Sequence, residues 1–233
     1  MIIKKLDFVE GAQQAEGIAV IIDVFRAFSV ACYCFQQDVQ KVIPMGSLAD
    51  ALSFKRANSK LVKIGERNGR KPPEFDFGNS PTEVLAADLN NAIAVQTTHA
   101  GTQGLVNAHN ASQVLTGALV NAKATVEYIK RQNPAVVSLV RMGHEATTRT
   151  DEDDICADYM EALLLSKPFD IASIRSTLLN SPCAKRFLDP AIPWNPMSDF
   201  DYCTEVDRFN FTLRLTADNM GTSYLEKTNH NID

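Results

Sequence analysis

No apolar run in this 233-residue chain is long enough to cross a bilayer. No long apolar core follows Lys4-Lys5 either, as it would in a secretory leader. The expectation is a cytoplasmic protein with no membrane partner. Cysteine is sparse and odd in number: Cys32, Cys34, Cys156, Cys183 and Cys203, with no CxxC pair. That argues against both a disulfide framework and a zinc knuckle. Cys32 and Cys34 lie in an apolar stretch and read as small core residues. There is no Lys/Arg stripe and the formal net charge is −5, so no nucleic-acid footprint is expected. Internal repeats, low-complexity tracts, the GxGxxG spacing and the Walker lysine are all absent. What remains is ordinary globular composition, 45% hydrophobic and 22% charged. It suits a single domain over 1–233, with 166–233 as a C-terminal extension packed on it. Self-association stays open.

Apolar, β-branched runs alternate with segments of helical period. Strands are expected at Ile18–Ile22, Lys41–Pro44, Leu61–Ile64, Ala92–Gln96, Gln113–Leu119 and Ala135–Val140. Helices are expected from Phe28 to Gln37, from a Ser47 cap to Arg56, from Pro81 to Asp88, after Thr102 to about His109, from an Asn121 cap to Gln132, and from Asp151 onward. The alternation predicts an α/β fold: a mostly parallel sheet with helices on both faces. The tail differs. Residues 167–201 are rich in Pro and Asp with one or two short helices, and Arg208–Leu215 alternates like an edge or antiparallel strand.

Ligands bind beyond the carboxyl ends of parallel strands, and polar clusters follow those ends here. Asp23-Val24-Phe25-Arg26 follows the first strand. Asp23 either caps the next helix or works as a buried carboxylate. Arg26 either pairs with Asp23 or grips an anionic substrate through its planar fork. After the third strand come Gly65–Pro81, seventeen residues with three glycines and three prolines. A connector that long and rigid suits a ligand loop. It contains Glu66, Asp76 and Asn79 and ends in the capping box Ser80-Pro81-Thr82-Glu83.

Thr97-Thr98-His99-Ala100-Gly101-Thr102 puts hydroxyls and a glycine at a strand-to-helix turn, where free amides and the helix dipole favour phosphate, although an ordinary helix cap would look the same. Gly101 would let the backbone approach an anion closely or take φ > 0. His99 and His144 fall on the same edge, whereas His109 and His230 carry no such signal. Asp151-Glu152-Asp153-Asp154 gathers four acids at a helix start. The dipole stabilises acids there, but their mutual repulsion is better relieved by a cation, and hard oxygens suit Mg²⁺. An aspartyl-phosphate route of haloacid-dehalogenase type is disfavoured, because Phe25 stands where that route needs a second Asp. Arginine, hydroxyls and acids together suggest metal-assisted phosphoryl chemistry.

The motifs Ile22-Asp23-Val24-Phe25-Arg26-Ala27, Gly65-Glu66, Phe75-Asp76-Phe77-Gly78-Asn79-Ser80-Pro81, Thr97-Thr98, Gly101-Thr102 and Glu152-Asp153 occur in order. In this the chain resembles the 2-phosphosulfolactate phosphatase (ComB) family, through motifs over roughly 1–165 and more loosely beyond. The resemblance implies an α/β fold and Mg²⁺-dependent hydrolysis of (2R)-2-phospho-3-sulfolactate to sulfolactate and phosphate, a step in coenzyme M synthesis. Carried over by position, Asp23, Arg26, Glu66, Asp76, Asn79, Thr97, Thr98, Gly101, Thr102, Glu152 and Asp153 would line the site. The Thr97–Thr102 run is one residue longer than the Thr-Thr-Asn-Gly-Thr of many members, and His99 in it would face the organic part of the substrate.

On chemical grounds Asp23, Glu152 and Asp153 would hold Mg²⁺. Arg26 and the Thr97–Thr102 loop would grip phosphate, and Glu66 or Asp76 would handle protons. Two alternatives are a phosphatase of another small phosphorylated hydroxy acid and a non-catalytic anion-binding module. An anion receptor, however, gains nothing from many carboxylates around its pocket.

Overall fold

The computed structural model describes residues 1–57 and 59–229; His230 lies outside them. The chain opens with β1 (Ile2–Asp7), α1 (Phe8–Gln14), β2 (Ile18–Ile22), α2 (Ala27–Gln36), β3 (Lys41–Pro44), α3 (Leu48–Ser53) and β4 (Leu61–Gly65). The long loop then leads to α4 (Pro81–Leu85), β5 (Ile93–Thr97), α5 (Gly101–Asn107), β6 (Gln113–Gly117), α6 (Ala122–Gln132), β7 (Val136–Arg141) and α7 (Asp151–Leu164). The extension carries three short helices, α8 (Ile174–Leu179), α9 (Lys185–Leu188) and α10 (Met197–Cys203), before β8 (Phe211–Ala217) and β9 (Ser223–Asn229).

Local chemistry sets several of these ends. Ser47 accepts the Asp50 N–H at 3.3 Å, as expected of the cap, but α3 stops at Ser53, short of the predicted Arg56. Ser80 caps α4 through the Glu83 N–H, while the Glu83 carboxylate reaches past it to the Gly78 N–H at 2.7 Å. Asn121 stands at the start of α6, yet its side chain turns back to the Ala118 N–H. The predicted strand to Leu119 ends at Gly117, because Leu119–Asn121 winds into a 3₁₀ turn.

The nine strands among the described residues form one sheet in the order β1-β7-β2-β6-β8-β9-β3-β5-β4. The predicted α/β class holds, and most pairings are parallel. The tail, expected to supply one extra strand, supplies two, and they lie at the centre of the sheet rather than its edge. The β8–β9 hairpin is antiparallel to β6 on one side and to β3 on the other. Counted across that hairpin, the β3-β5-β4 block therefore runs opposite in sense to the β1-β7-β2-β6 block.

A flat sheet of this pairing would put the carboxyl ends of the two blocks on opposite edges. Hydrogen bonds join the two ends instead: the Gly101 N–H after β5 donates to Asp23 Oδ2 after β2 at 2.9 Å. The sheet must curl about the hairpin, which is held at the registers Leu115↔Arg214 and Val42↔Leu225. It wraps α2, which is buried from Ala27 through Phe35. Strand β2 has the alternation this requires. Ala19 and Ile21 pack into the core around α2 with Val42, Ile64 and Leu213. Val20 and Ile22 pack the other face against Val126 of α6, Met160 of α7 and Phe200 of α10. Helices thus cover both faces. Among the described residues no helix is long and apolar enough to cross a membrane.

Candidate active site

Where the two blocks meet, a cavity of about 630 Å³ opens, large enough for a small-molecule substrate. Asp23, Arg26, Glu66, Asn79, Thr98, His99 and Glu152 line it, as the sequence led us to expect. Among the described residues six carboxylates line it, those of Asp23, Glu66, Glu145, Asp151, Glu152 and Asp189.

Asp23 is the first residue after β2 and is buried. Its Oδ1 accepts the Ala27 N–H at 3.1 Å and its Oδ2 the Gly101 N–H at 2.9 Å. Asp23 thus holds the first N–H of α2 and also faces the cavity. Burial pushes its carboxyl up to about 6; the two N–H donors pull the other way, and the Glu66 and Glu152 charges add to the rise. Glu152, 3% exposed, is also raised by burial, with Arg186 pulling it back. Its Oε2 is buried without a hydrogen-bond partner, as is Asn79 Oδ1.

Arg26 does not pair with Asp23. Its guanidinium is held by Asp199, by Asn195 Oδ1 at 2.6 Å and by the Trp194 carbonyl at 3.0 Å. Asp199 is fully buried and also accepts the Ser80 hydroxyl at 2.8 Å and the Thr82 N–H at 2.9 Å. One carboxylate of the extension thus fixes both Arg26 and the end of the long loop. Sequence reasoning missed Asp199 and Asn195, because a Pro- and Asp-rich tail signals only irregular structure.

The Thr97–Thr102 turn is not the amide cradle its composition suggests. The His99 N–H donates to Glu66 Oε1 at 2.8 Å, and the Gly101 N–H to Asp23. Thr98 and Thr102 bond each other: each hydroxyl accepts the other's N–H, at 3.0 and 3.2 Å. The turn therefore binds the protein's own carboxylates. Gly101 is needed for a close approach, but to Asp23 and Ala27: a Cβ there would lie 2.8 Å from Ala27 Cβ and 2.8 Å from Asp23 Oδ2. Thr97, Gly101 and Thr102 stand behind the cavity wall, with the Thr97 hydroxyl accepting from Arg67 at 2.7 Å. Glu66 closes the long loop as well, through the Gly69 N–H at 2.8 Å. His99 Nδ1 accepts the Asn68 N–H at 3.3 Å, which leaves Nε2 as the protonated nitrogen.

Two expected site residues take other roles. Asp76 is exposed outside the cavity, and its Oδ2 accepts the Lys63 N–H of edge strand β4 at 2.7 Å. Asp76→Ala should therefore leave kcat unchanged and cost about 1 kcal/mol of stability, read as a lower melting temperature; a large loss of turnover would return it to the site. Asp153 is buried with Oδ1 on the Val24 N–H at 2.9 Å and Oδ2 on the Gly143 N–H at 2.8 Å. It ties the segment after β2 to the one after β7, and burial together with the Glu152 and Asp23 charges raises its carboxyl well above the usual range. Gly143 turns there at φ +61°, where a Cβ would strike the Thr148 carbonyl oxygen. Of the other acids at the start of α7, Asp151 reaches the cavity and Asp154 pairs with Arg141 and Arg149. Among the described residues no three His, Cys, Asp or Glu side chains form a metal-holding cluster. The expected Asp23–Glu152–Asp153 triad is not assembled.

A model of the family described as 2-phosphosulpholactate phosphatase matches residues 5–218. The chain belongs to this family. Its members are phosphoric monoester hydrolases, and the matched span runs from β1 through β8. A protein of Thermoplasma volcanium named "Probable 2-phosphosulfolactate phosphatase" is 31% identical over 169 residues, covering 71% of this chain and 78% of its own. One of Caldicellulosiruptor saccharolyticus with the same name is 31% identical over 176 residues, 74% of this chain and 72% of its own. A third, from Bacillus subtilis, is 26% identical over 204 residues, covering 86% of this chain and 88% of its own.

Proposed function

We propose that the chain is a Mg²⁺-dependent cytoplasmic phosphatase that hydrolyses (2R)-2-phospho-3-sulfolactate, a small anionic phospho-acid, to sulfolactate and phosphate. The observation that carries this reading is the cavity itself. Buried acids with raised pKa face a fixed guanidinium in a space sized for such an ester. A receptor for anions would gain nothing from six carboxylates.

The donor set fits the metal in part. Mg²⁺ is commonly bound by one or two carboxylates, with water and substrate phosphate completing its shell. Asp23 and Glu152 are two such carboxylates, and the unpartnered Glu152 Oε2 and Asn79 Oδ1 are hard oxygens lacking a donor. Asp153 does not fit, because its side chain is not part of the cavity wall. Bound by Asp23 and Glu152, the ion would neutralise phosphoryl charge and acidify water.

The chain's own groups do the rest. Arg26, locked by Asp199 and Asn195, offers the phosphoryl oxygens a positive charge that needs no reordering. Without a cation the Asp23 carboxyl sits near 6, so a cation held there would displace its proton. Glu66 holds the Gly69 and His99 N–H groups, and so ties the long loop to the turn after β5 at the cavity wall. His99 Nε2–H is a donor available to the organic part of the ester.

Phosphate release from the ester should require Mg²⁺ or Mn²⁺ and stop with EDTA. Release that persists after exhaustive chelation would remove the metal from the reading. Stability offers a readout without turnover. Because folding raises the Asp23 carboxyl from 3.8 to about 6, the folded state favours its protonated form. The resulting penalty is absent below the unfolded value, grows as pH rises between the two, and above pH 6 reaches about 3 kcal/mol without a cation. Glu152 shifts in the same direction. Mg²⁺ should therefore raise the melting temperature clearly at pH 7.5 and little at pH 4.5; an equal effect at both would argue against binding at these carboxylates.

A further inference from the structure

Two further cations of the cavity wall come from the C-terminal extension. Lys185 and Arg186 begin α9 in the C-terminal extension, and both line the cavity. Arg186 is rigidly held. Its Nη2 donates to the Phe25 carbonyl at 2.9 Å, and its guanidinium lies 5.1 Å from the Phe187 ring centre and 5.9 Å from that of Phe25. Its Nε is buried with no acceptor. The nearest carboxylate oxygen is Glu152 Oε1 at 3.9 Å, beyond hydrogen-bond reach. Lys185 is exposed, and no acid pairs with it among the described residues. The other cavity arginines each hydrogen-bond an acid: Arg149 forks onto Asp154 at 3.2 and 2.8 Å, and Arg26 bonds Asp199.

A fixed guanidinium, partly exposed on the cavity wall beside an unpaired ammonium, has the chemistry of an anion receptor. The phosphoryl group is assigned to Arg26, so this receptor faces a different part of the substrate. We infer that Lys185 and Arg186 receive the substrate's second strong-acid group, a sulfonate, and so select sulfonated phosphate esters over their unsulfonated counterparts. The inference rests on the phosphatase reading and adds to it that specificity resides in the extension.

The test compares 2-phosphosulfolactate with 2-phospholactate, which has hydrogen in place of the sulfonate. The enzymes are wild type, Lys185→Gln and Arg186→Lys; the last keeps the charge but loses the planar fork. Each variant should lose about 10-fold or more in kcat/KM for the sulfonated ester, chiefly through KM, and less than about 2-fold for the other. Equal losses on both esters overturn the inference. Calorimetric titration of sulfolactate and of inorganic phosphate asks the same question without turnover. The variants should bind sulfolactate more weakly and phosphate as before; unchanged sulfolactate binding overturns the inference. If wild type releases no phosphate from either ester, the phosphatase reading fails, and the titrations alone decide the receptor.

Discussion

Asp23→Asn and Glu152→Gln should each lower kcat by about 100-fold or more, because each removes a charge placed to act in the transition state. Their effects on stability should differ. Asp23 accepts one N–H on each oxygen, from Ala27 and Gly101. An asparagine amide must turn its NH₂ toward one of those donors, leaving it unsatisfied at a cost of about 1–3 kcal/mol, partly offset by removal of a buried charge. Glu152 has an unpartnered Oε2 and a carboxyl raised by burial, so its neutral amide should leave the melting temperature unchanged or higher. If Glu152 served only as a favourable charge at the start of α7, Gln would instead lower the melting temperature slightly and leave turnover normal. Measuring kcat and melting temperature on the same preparations separates the two accounts.

Gly101→Val should be nearly as damaging, for a reason the sequence alone did not suggest. A Cβ at this position would lie 2.8 Å from both Ala27 Cβ and Asp23 Oδ2, so α5 must back away from α2. Overpacking of this kind costs about 1–3 kcal/mol, and the retreat also breaks the N–H donation to Asp23. The expected outcome is a fall in kcat that tracks the disturbed Asp23, with inhibition by free phosphate nearly unchanged. Intact kcat with weakened phosphate inhibition would restore the turn as a phosphate cradle and refute its role as a support for Asp23.

Much of the framework was legible because it is written in local periodicity. The fully apolar run Ile18–Ile22 can only be a strand buried on both faces, and it is. Ser47 and Ser80 announce helix starts through side-chain geometry that spans three residues. Strand β1 escaped notice because its Ile2, Lys4 and Lys5 lack such a pattern at an edge position. Strand β9 escaped because Ser223–Asn229 is largely polar and far along the chain from its partner β3.

The sequence by itself determined which residues are chemically able: an acid and an arginine just after a buried strand, a long loop carrying Glu66 and Asn79, and acids at the start of a helix. These are single-residue identities and short spacings, which chain order preserves. Only the tertiary structure decided which of them meet. Asp76 and Asp153 have the right chemistry, but neither lines the cavity: Asp76 Oδ2 holds the Lys63 N–H, and the Asp153 oxygens hold those of Val24 and Gly143. The partners of Arg26 lie 168 to 173 residues away, in a tail whose composition signals only loops. The physical reason is the hairpin β8–β9, which reverses the sense of the sheet and makes it curl. Long-range pairings of that kind depend on burial and backbone hydrogen bonding summed over the whole chain, and no local window of sequence contains that sum.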